Sequence, residues 1–300
     1  MESNPAERYA MRNRAAAFIV ALLFLPPLAI SLSGQGWDAP EPVAGAVWLP
    51  ALFGAFAIFV YGLLLDTLTF RRTGHSLLRT QRSFLFWNGA AGSIACLLLA
   101  YLNLFAGTWI TAAAQTTSAL LLAAICGTVL LPAVLVTRLW LAGLVRLSTR
   151  RLALPAMSEG TAAAILLPLA LTGLIGGAIW PVPLGWLFWA APLLLLVALQ
   201  LLWHESTVFS GLAQGDWSRI LWGTVSGVMV GSIGLAVFRL GGGAIYLAAD
   251  AWQLIFGLAL FGLLCLQVGD VVAEHWRGKQ RTDVIKKKPF PIPVVSKKEQ

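Results

Sequence analysis

Charged side chains are scarce in this sequence. Asp, Glu, Lys and Arg make up 11% of the 300 residues and hydrophobic types 58%, whereas an average soluble chain carries roughly 25% charged residues to keep its surface in water. That shortage excludes a soluble domain and makes lipid the solvent for most of the chain. Ten-residue stretches of alternating polarity, which build an outer-membrane barrel, are missing as well, so the spanning element expected is the helix.

Histidine and cysteine are sparse, at three residues each. His75, His204 and His275 fall at or beyond the ends of hydrophobic runs. No two of them therefore face each other inside the bilayer, as the axial ligands of a spanning b-type haem usually do. No two have the helical spacing of a membrane di-iron site either. Cys96, Cys126 and Cys265 stand singly inside apolar runs and read as small packing residues. Ionisable groups avoid the centres of the runs, where a charge is costly and usually marks a transport or proton path. This disfavours an ion- or proton-driven transporter.

What is abundant is long apolar sequence. A helix needs ~20 apolar residues to cross ~30 Å of hydrocarbon. Eight runs meet that need: Ala15–Leu32, Val47–Leu65, Ser83–Phe105, Ala119–Val136, Thr161–Trp180, Leu184–Trp203, Ile220–Phe238 and Tyr246–Val268. Pro132, Pro168 and Pro192 lie inside three of them, which membrane helices tolerate when neighbours satisfy the freed backbone groups. The expected fold is all-α and polytopic, about eight helices in four hairpins. The chain divides into an N-terminal segment 1–14, a membrane domain 15–276 with candidate halves 15–151 and 152–276, and a basic tail 277–300.

The cations fix an orientation. Arg8, Arg12 and Arg14 precede the first run, Arg71, Arg72, Arg79 and Arg82 separate the second and third, and Arg138, Arg146, Arg150 and Arg151 separate the fourth and fifth. Arg219 follows the sixth run, and the tail holds eight more from Arg277 to Lys298. In an eight-helix arrangement all of these share one side, and only Arg239 falls on the other. The positive-inside rule makes the basic side cytoplasmic, with both termini there, and points to the inner membrane. The net charge of +8 is thus explained by topology and anionic lipid heads, without nucleic acid.

Polar chemistry concentrates on that same side. The densest constellation is the connection from Arg71 to Arg82, in which His75, Arg79 and Arg82, with Asn88 just inside the following helix, could receive an anionic head group or a quinone carbonyl. A histidine there can pass a proton near neutral pH. Asp66, Asp270 and Glu274 lie at inner helix ends as candidates for proton or partner contact, the last two sharing a helix face at i, i+4. The pairs His204-Glu205 and Glu274-His275 end their helices on one side and form a candidate metal quartet, against the plainer reading of interfacial anchors. Plain topogenic charge is the competing reading of the basic loop. Ser83 to Trp87 and Ser218 to Trp222 open their helices alike, which suggests an internal repeat, although chance produces such matches easily.

At Gly62-Leu63-Leu64-Leu65, leading through Arg71, Arg72, His75 and Arg79 to Arg82-Ser83-Phe84-Leu85, and again at Gly269-Asp270, the sequence resembles the membrane anchor subunit of dimethyl sulfoxide reductase type molybdoenzymes. The resemblance covers about forty residues. It implies an eight-helix, haem-free anchor with no covalently bound cofactor, which binds quinol and holds an iron–sulfur subunit and a molybdenum catalytic subunit to the membrane. The sequence departs from the family pattern in two places. His75 lies later than the family's histidine, and Trp87 or Asn88 stands where an acidic residue is expected. The leading expectation is a quinone-reactive anchor of a multisubunit complex. The alternatives are a transporter or flippase, for which Gly173, Gly176, Gly177, Gly223, Gly227, Gly231 and Gly234 offer close contacts or hinges, and a non-catalytic scaffold. No serine, cysteine or carboxylate constellation names a hydrolase or transferase.

Overall fold

The computed structural model describes residues 48–111, 116–144, 157–248 and 250–277, with side chains to residue 274 in the last helix. The elements in chain order are α1 (Trp48–Thr73), α2 (Leu77–Thr80), α3 (Arg82–Ala106), β1 (Trp109–Thr111), α4 (Thr116–Leu144), α5 (Glu159–Ile179), α6 (Pro181–Leu202), a single 3-10 turn (Leu212–Gln214), α7 (Ser218–Leu240), β2 (Ile245–Leu247) and α8 (Ala251–Arg277). Seven of these helices, all but the one-turn α2, are long and apolar enough to cross a membrane. This is the all-α, polytopic class read from the sequence. The expected first helix, Ala15–Leu32, lies outside the described residues, as do the N-terminal segment and the tail beyond Arg277.

Hydrophobic side chains fill the interior where α4, α7 and α8 meet their neighbours. Ile58 of α1, Leu131 and Val134 of α4, Val197 of α6, Val230 of α7 and Leu266 of α8 belong to one buried cluster. Helices α1 and α4 pack on α7, so the two candidate halves of the chain interleave in space. Helices α5 and α6 form a tight hairpin that meets the rest mainly through α6 against α8. Its turn is sharp because Trp180 ends α5 and Pro181 opens α6, where the missing proline N–H would have had no partner anyway. Pro132, Pro168 and Pro192 all stand inside continuous helix, as expected in lipid.

Backbones approach closely wherever glycines face each other. A Cβ on Gly92 or Gly127 would lie 2.3 Å from the other residue's carbonyl oxygen, which fixes α3 against α4. A Cβ on Gly227 would lie 2.3 Å from Gly262 Cα, which does the same for α7 and α8. The glycines offered as hinges are therefore packing surfaces. Gly173, Gly176 and Gly177 meet α6, and Gly223, Gly227 and Gly231 meet α8; only Gly234 makes no more than an ordinary contact, 3.8 Å to Leu130 Cδ2.

The far end of the bundle, opposite the arginines, holds a feature that the sequence did not suggest. Strands β1 and β2 pair antiparallel, with Trp109 opposite Leu247 and Thr111 opposite Ile245. Tyr246 and Leu247, expected to begin the last helix, belong to β2, and α8 starts at Ala251. The chain reverses at Gly241-Gly242-Gly243, where Gly242 has φ +85°, a conformation that suits only glycine. Asn103 builds the other strand: its Oδ1 accepts from Thr108 N at 2.9 Å and Trp109 N at 3.2 Å, and its Nδ2 donates to Trp109 O at 2.7 Å. Trp189 of α6 stacks on Trp109 with ring centroids 5.1 Å apart and donates from Nε1 to Thr108 Oγ1 at 3.1 Å. One latch thus ties α3, α6, α7 and α8 together at this end.

Candidate functional site at the basic end

The connections read as cytoplasmic do converge on one end. Asp66, buried in the last turns of α1, accepts from Ser76 Oγ and, at 2.9 Å, from Leu77 N. Ser76 Oγ in turn accepts from Arg79 N at 3.0 Å and caps α2. Asp66 is therefore the clasp that folds the basic loop back on α1, a role that leaves its carboxylate acceptors occupied within the loop.

Of the four residues of the sequence-based head-group site, three are exposed on the basic loop and the start of α3, and one is buried. His75 is exposed on the loop. Arg79 lies over the Phe70 ring at 4.2 Å from its centroid, a cation–π contact. Arg82 is exposed and donates from Nε to Leu78 O at 3.2 Å. Asn88 is fully buried, donating to Phe84 O at 2.8 Å; its Oδ1 has no partner and would lie 3.5 Å from a Cβ on Gly269 of α8. Asn88 thus belongs to the α3–α8 interface and not to the loop.

Of the candidate metal quartet, the described members have other partners or none in common. His204 Nδ1 lies 2.8 Å from Glu159 Oε2 of α5, an exposed pair. Its backbone has φ +57° and closes the C-terminus of α6: Glu205 N donates to Gln200 O at 2.8 Å, the place where helices usually carry glycine. Glu274 of α8 accepts from Ser206 Oγ at 2.5 Å. The His275 side chain lies outside the described residues. Among the described residues no three His, Cys, Asp or Glu side chains group around a common point that could hold a metal.

A constellation not singled out beforehand occupies the end of the central helices. Arg219, in the first turn of α7, forms an ion pair with Asp270 of α8. Arg138 of α4 is close enough to feel both charges and that of Asp216, and Asp270 feels Glu274. Arg138 Nε, Arg219 Nε and Asp270 Oδ2 are buried without hydrogen-bond partners. Next to them on α8, Gln267 Oε1 accepts from Val208 N at 2.9 Å, while its Nε2 has no partner. Sequence reasoning named Asp270 but assigned Arg138 and Arg219 to topogenic charge. Their position just outside the hydrophobic runs gave no other signal.

Asp216 orders the entry to α7. Its Oδ1 accepts from Ser218 Oγ at 2.5 Å and Ser218 N at 3.0 Å. The Ser218 hydroxyl and then its amide hold the carboxyl below the usual carboxylate range. Because the folded-state pKa is the lower one, the contribution to stability is full above the unfolded value of about 3.9 and fades as pH falls through the folded one. Asp216→Ala should accordingly melt earlier than wild type at neutral pH, with the gap closing in strong acid. Melting curves of both proteins across that range check this, and a constant gap would remove the cap.

Comparison with protein-family models, with curated proteins and with solved structures finds no match to this chain. The class defined by the fold is an α-helical, multi-pass integral membrane protein.

Proposed function

We propose that this chain is a haem-free membrane subunit of a multisubunit complex, an anchor in the cytoplasmic membrane that exchanges electrons with quinone. The observation supporting this reading is the buried, mixed-sign group Arg138, Arg219 and Asp270 with its three unpartnered polar atoms. Unpaired buried donors and acceptors are costly, and a ligand or partner that completed them would remove that cost. The positive-inside rule places this end toward the cytoplasm, so an iron–sulfur subunit and, beyond it, a molybdenum catalytic subunit would dock there, near the quinone head. In this reading the exposed His75 and Arg82 belong to the docking surface.

Transport has less support. The far end is latched by β1, β2 and Trp189, and a solute path would have to open there. Most of the glycines that could have acted as hinges are wedged against neighbouring helices.

The test is purification of the tagged protein in mild detergent, followed by mass spectrometry of bound proteins, lipids and quinones. Recovery of an iron–sulfur or molybdenum subunit, or of stoichiometric quinone, is the expected result. A solitary protein without quinone, active in proteoliposome flux assays, would overturn the reading in favour of transport.

A further inference from the structure

The two halves of the chain follow one plan. Gly92 and Gly127, which bring α3 against α4, recur 135 residues later as Gly227 and Gly262, which bring α7 against α8. Ser83 and Trp87 recur at the same displacement as Ser218 and Trp222. So do Leu49, Leu52, Phe53 and Ala55 of α1, as Leu184, Leu187, Phe188 and Ala190 of α6. A single displacement that holds across three helices, and that carries one close backbone contact into another, is the signature of a repeat.

The packing repeats with the sequence. Helix α1 meets α4 and α7, and its counterpart α6 meets α8 and α3. Helix α4 packs on α7 as α8 packs on α3. Strands β1 and β2 each lie between the last two helices of their half, and they pair with each other around Ile110 and Tyr246. These are the relations of two parallel repeats about a twofold axis along the membrane normal.

One contact lacks its counterpart among the described residues. Helix α5 covers one face of α6: a Cβ on Gly173 would lie 2.7 Å from Leu187 O and 2.9 Å from Ala191 Cβ. Leu187, Phe188 and Ala191 are accordingly 4%, 1% and 0% exposed. In their places on α1 stand Leu52, Phe53 and Phe56, which are 47%, 51% and 65% exposed.

We infer that Ala15–Leu32 covers this face of α1, as α5 covers α6. The run precedes α1 as α5 precedes α6, and it opens on Ala15-Ala16-Ala17 where α5 has Ala162-Ala163-Ala164. Arg12 and Arg14 set its start at the basic end. Its other end then comes to the side where α1 begins at Trp48, the same sense in which α5 enters α6. Residues 33–47 can reach about 50 Å when extended, ample for helices that pack about 10 Å apart. The inference does not depend on the quinone reading.

The experiment places p-benzoylphenylalanine at Phe53 of the full-length protein, irradiates isolated membranes before solubilisation, and maps the adducts by mass spectrometry. An aromatic ring replaces an aromatic ring on an exposed face, so the fold is kept. The expected result is a product of monomer mass in which position 53 is joined to a peptide within Ala15–Leu32. The same replacement at Leu121 of α4 is the control. Leu121 is 57% exposed, and its counterpart Phe256 remains 40% exposed with α5 in place, so no such peptide should be captured there. If the Phe53 variant is not monodisperse, Phe56 takes its place with the same expected product. Adducts at position 53 with lipid alone, or with a second protein including another copy of this chain, would overturn the inference. So would capture of Ala15–Leu32 as readily from position 121 as from position 53.

Discussion

Adding one methyl group at Gly227 should unfold this protein well below the wild-type melting temperature. The Cβ of Gly227→Ala would lie 2.3 Å from Gly262 Cα and 2.5 Å from both Gly262 N and Leu258 O. All three are backbone atoms, so no rotamer change relieves the overlap and α7 must move away from α8. Overpacking of this kind costs about 3 kcal/mol when the neighbours cannot yield. The loss extends beyond the contact itself, because dispersion along a close helix pair replaces the hydrophobic drive that lipid cannot supply. Gly257→Ala, on α8 with nothing within 4 Å of the new atom, is the matched control. It should be neutral or stabilise by about 0.5 kcal/mol through helix propensity. Thermal melting followed by size-exclusion fluorescence in mild detergent compares the two, and equal melting would mean that α7 and α8 do not touch through their backbones.

The second large effect is expected at Arg219. Truncation to leucine leaves Asp270 partly buried with its ion-pair partner gone, and removing one member of a buried pair costs about 3 kcal/mol because the other charge remains. Neutralising both, in Arg219→Leu with Asp270→Asn, should recover most of that loss. The double-mutant cycle therefore has a coupling term of about 2 kcal/mol. Additive effects of the two single changes would show that the pair contributes nothing as a pair.

Much of the architecture was legible because lipid imposes a strong rule: each span must be long, apolar and helical. All seven described spanning helices overlap the runs read from hydropathy. The ends were less legible. Helix α1 continues past Leu65 to Thr73 and α4 past Val136 to Leu144, because polar residues can extend a helix once it has left the hydrocarbon. Strand β2 was read as helix because Tyr246 and Leu247 are apolar, and hydropathy does not distinguish a lipid-facing turn from a three-residue strand. The short strands are set by Asn103 and Gly242, whose effect depends on pairing between distant segments.

The site was less legible than the fold. Composition located the basic end correctly as the place where polar side chains gather, but it could not tell which arginines point inward. Arg79 and Arg82 are exposed, while Arg138, of the same residue type and similar position in sequence, is half-buried and Arg219 is paired with Asp270. His204 is a comparable case. Its sequence suggested either a metal ligand or an interfacial anchor, and its backbone is the left-handed residue that ends α6. These distinctions follow from the rotation of each helix about its axis, which a polar residue near a helix end does not reveal.

The pairing of β1 with β2 also constrains the order in which the protein can be completed. Trp109 enters the membrane system long before Leu247 is synthesised, and its strand partner arrives only after α7 has crossed. Until then, the segment between α3 and α4 carries backbone donors and acceptors with no sheet partner. The latch is consequently a late contact, available only once α7 is in place and before α8 can pack, and a nascent chain released before Leu247 would leave Trp189 stacked against a loop whose strand partner never arrives.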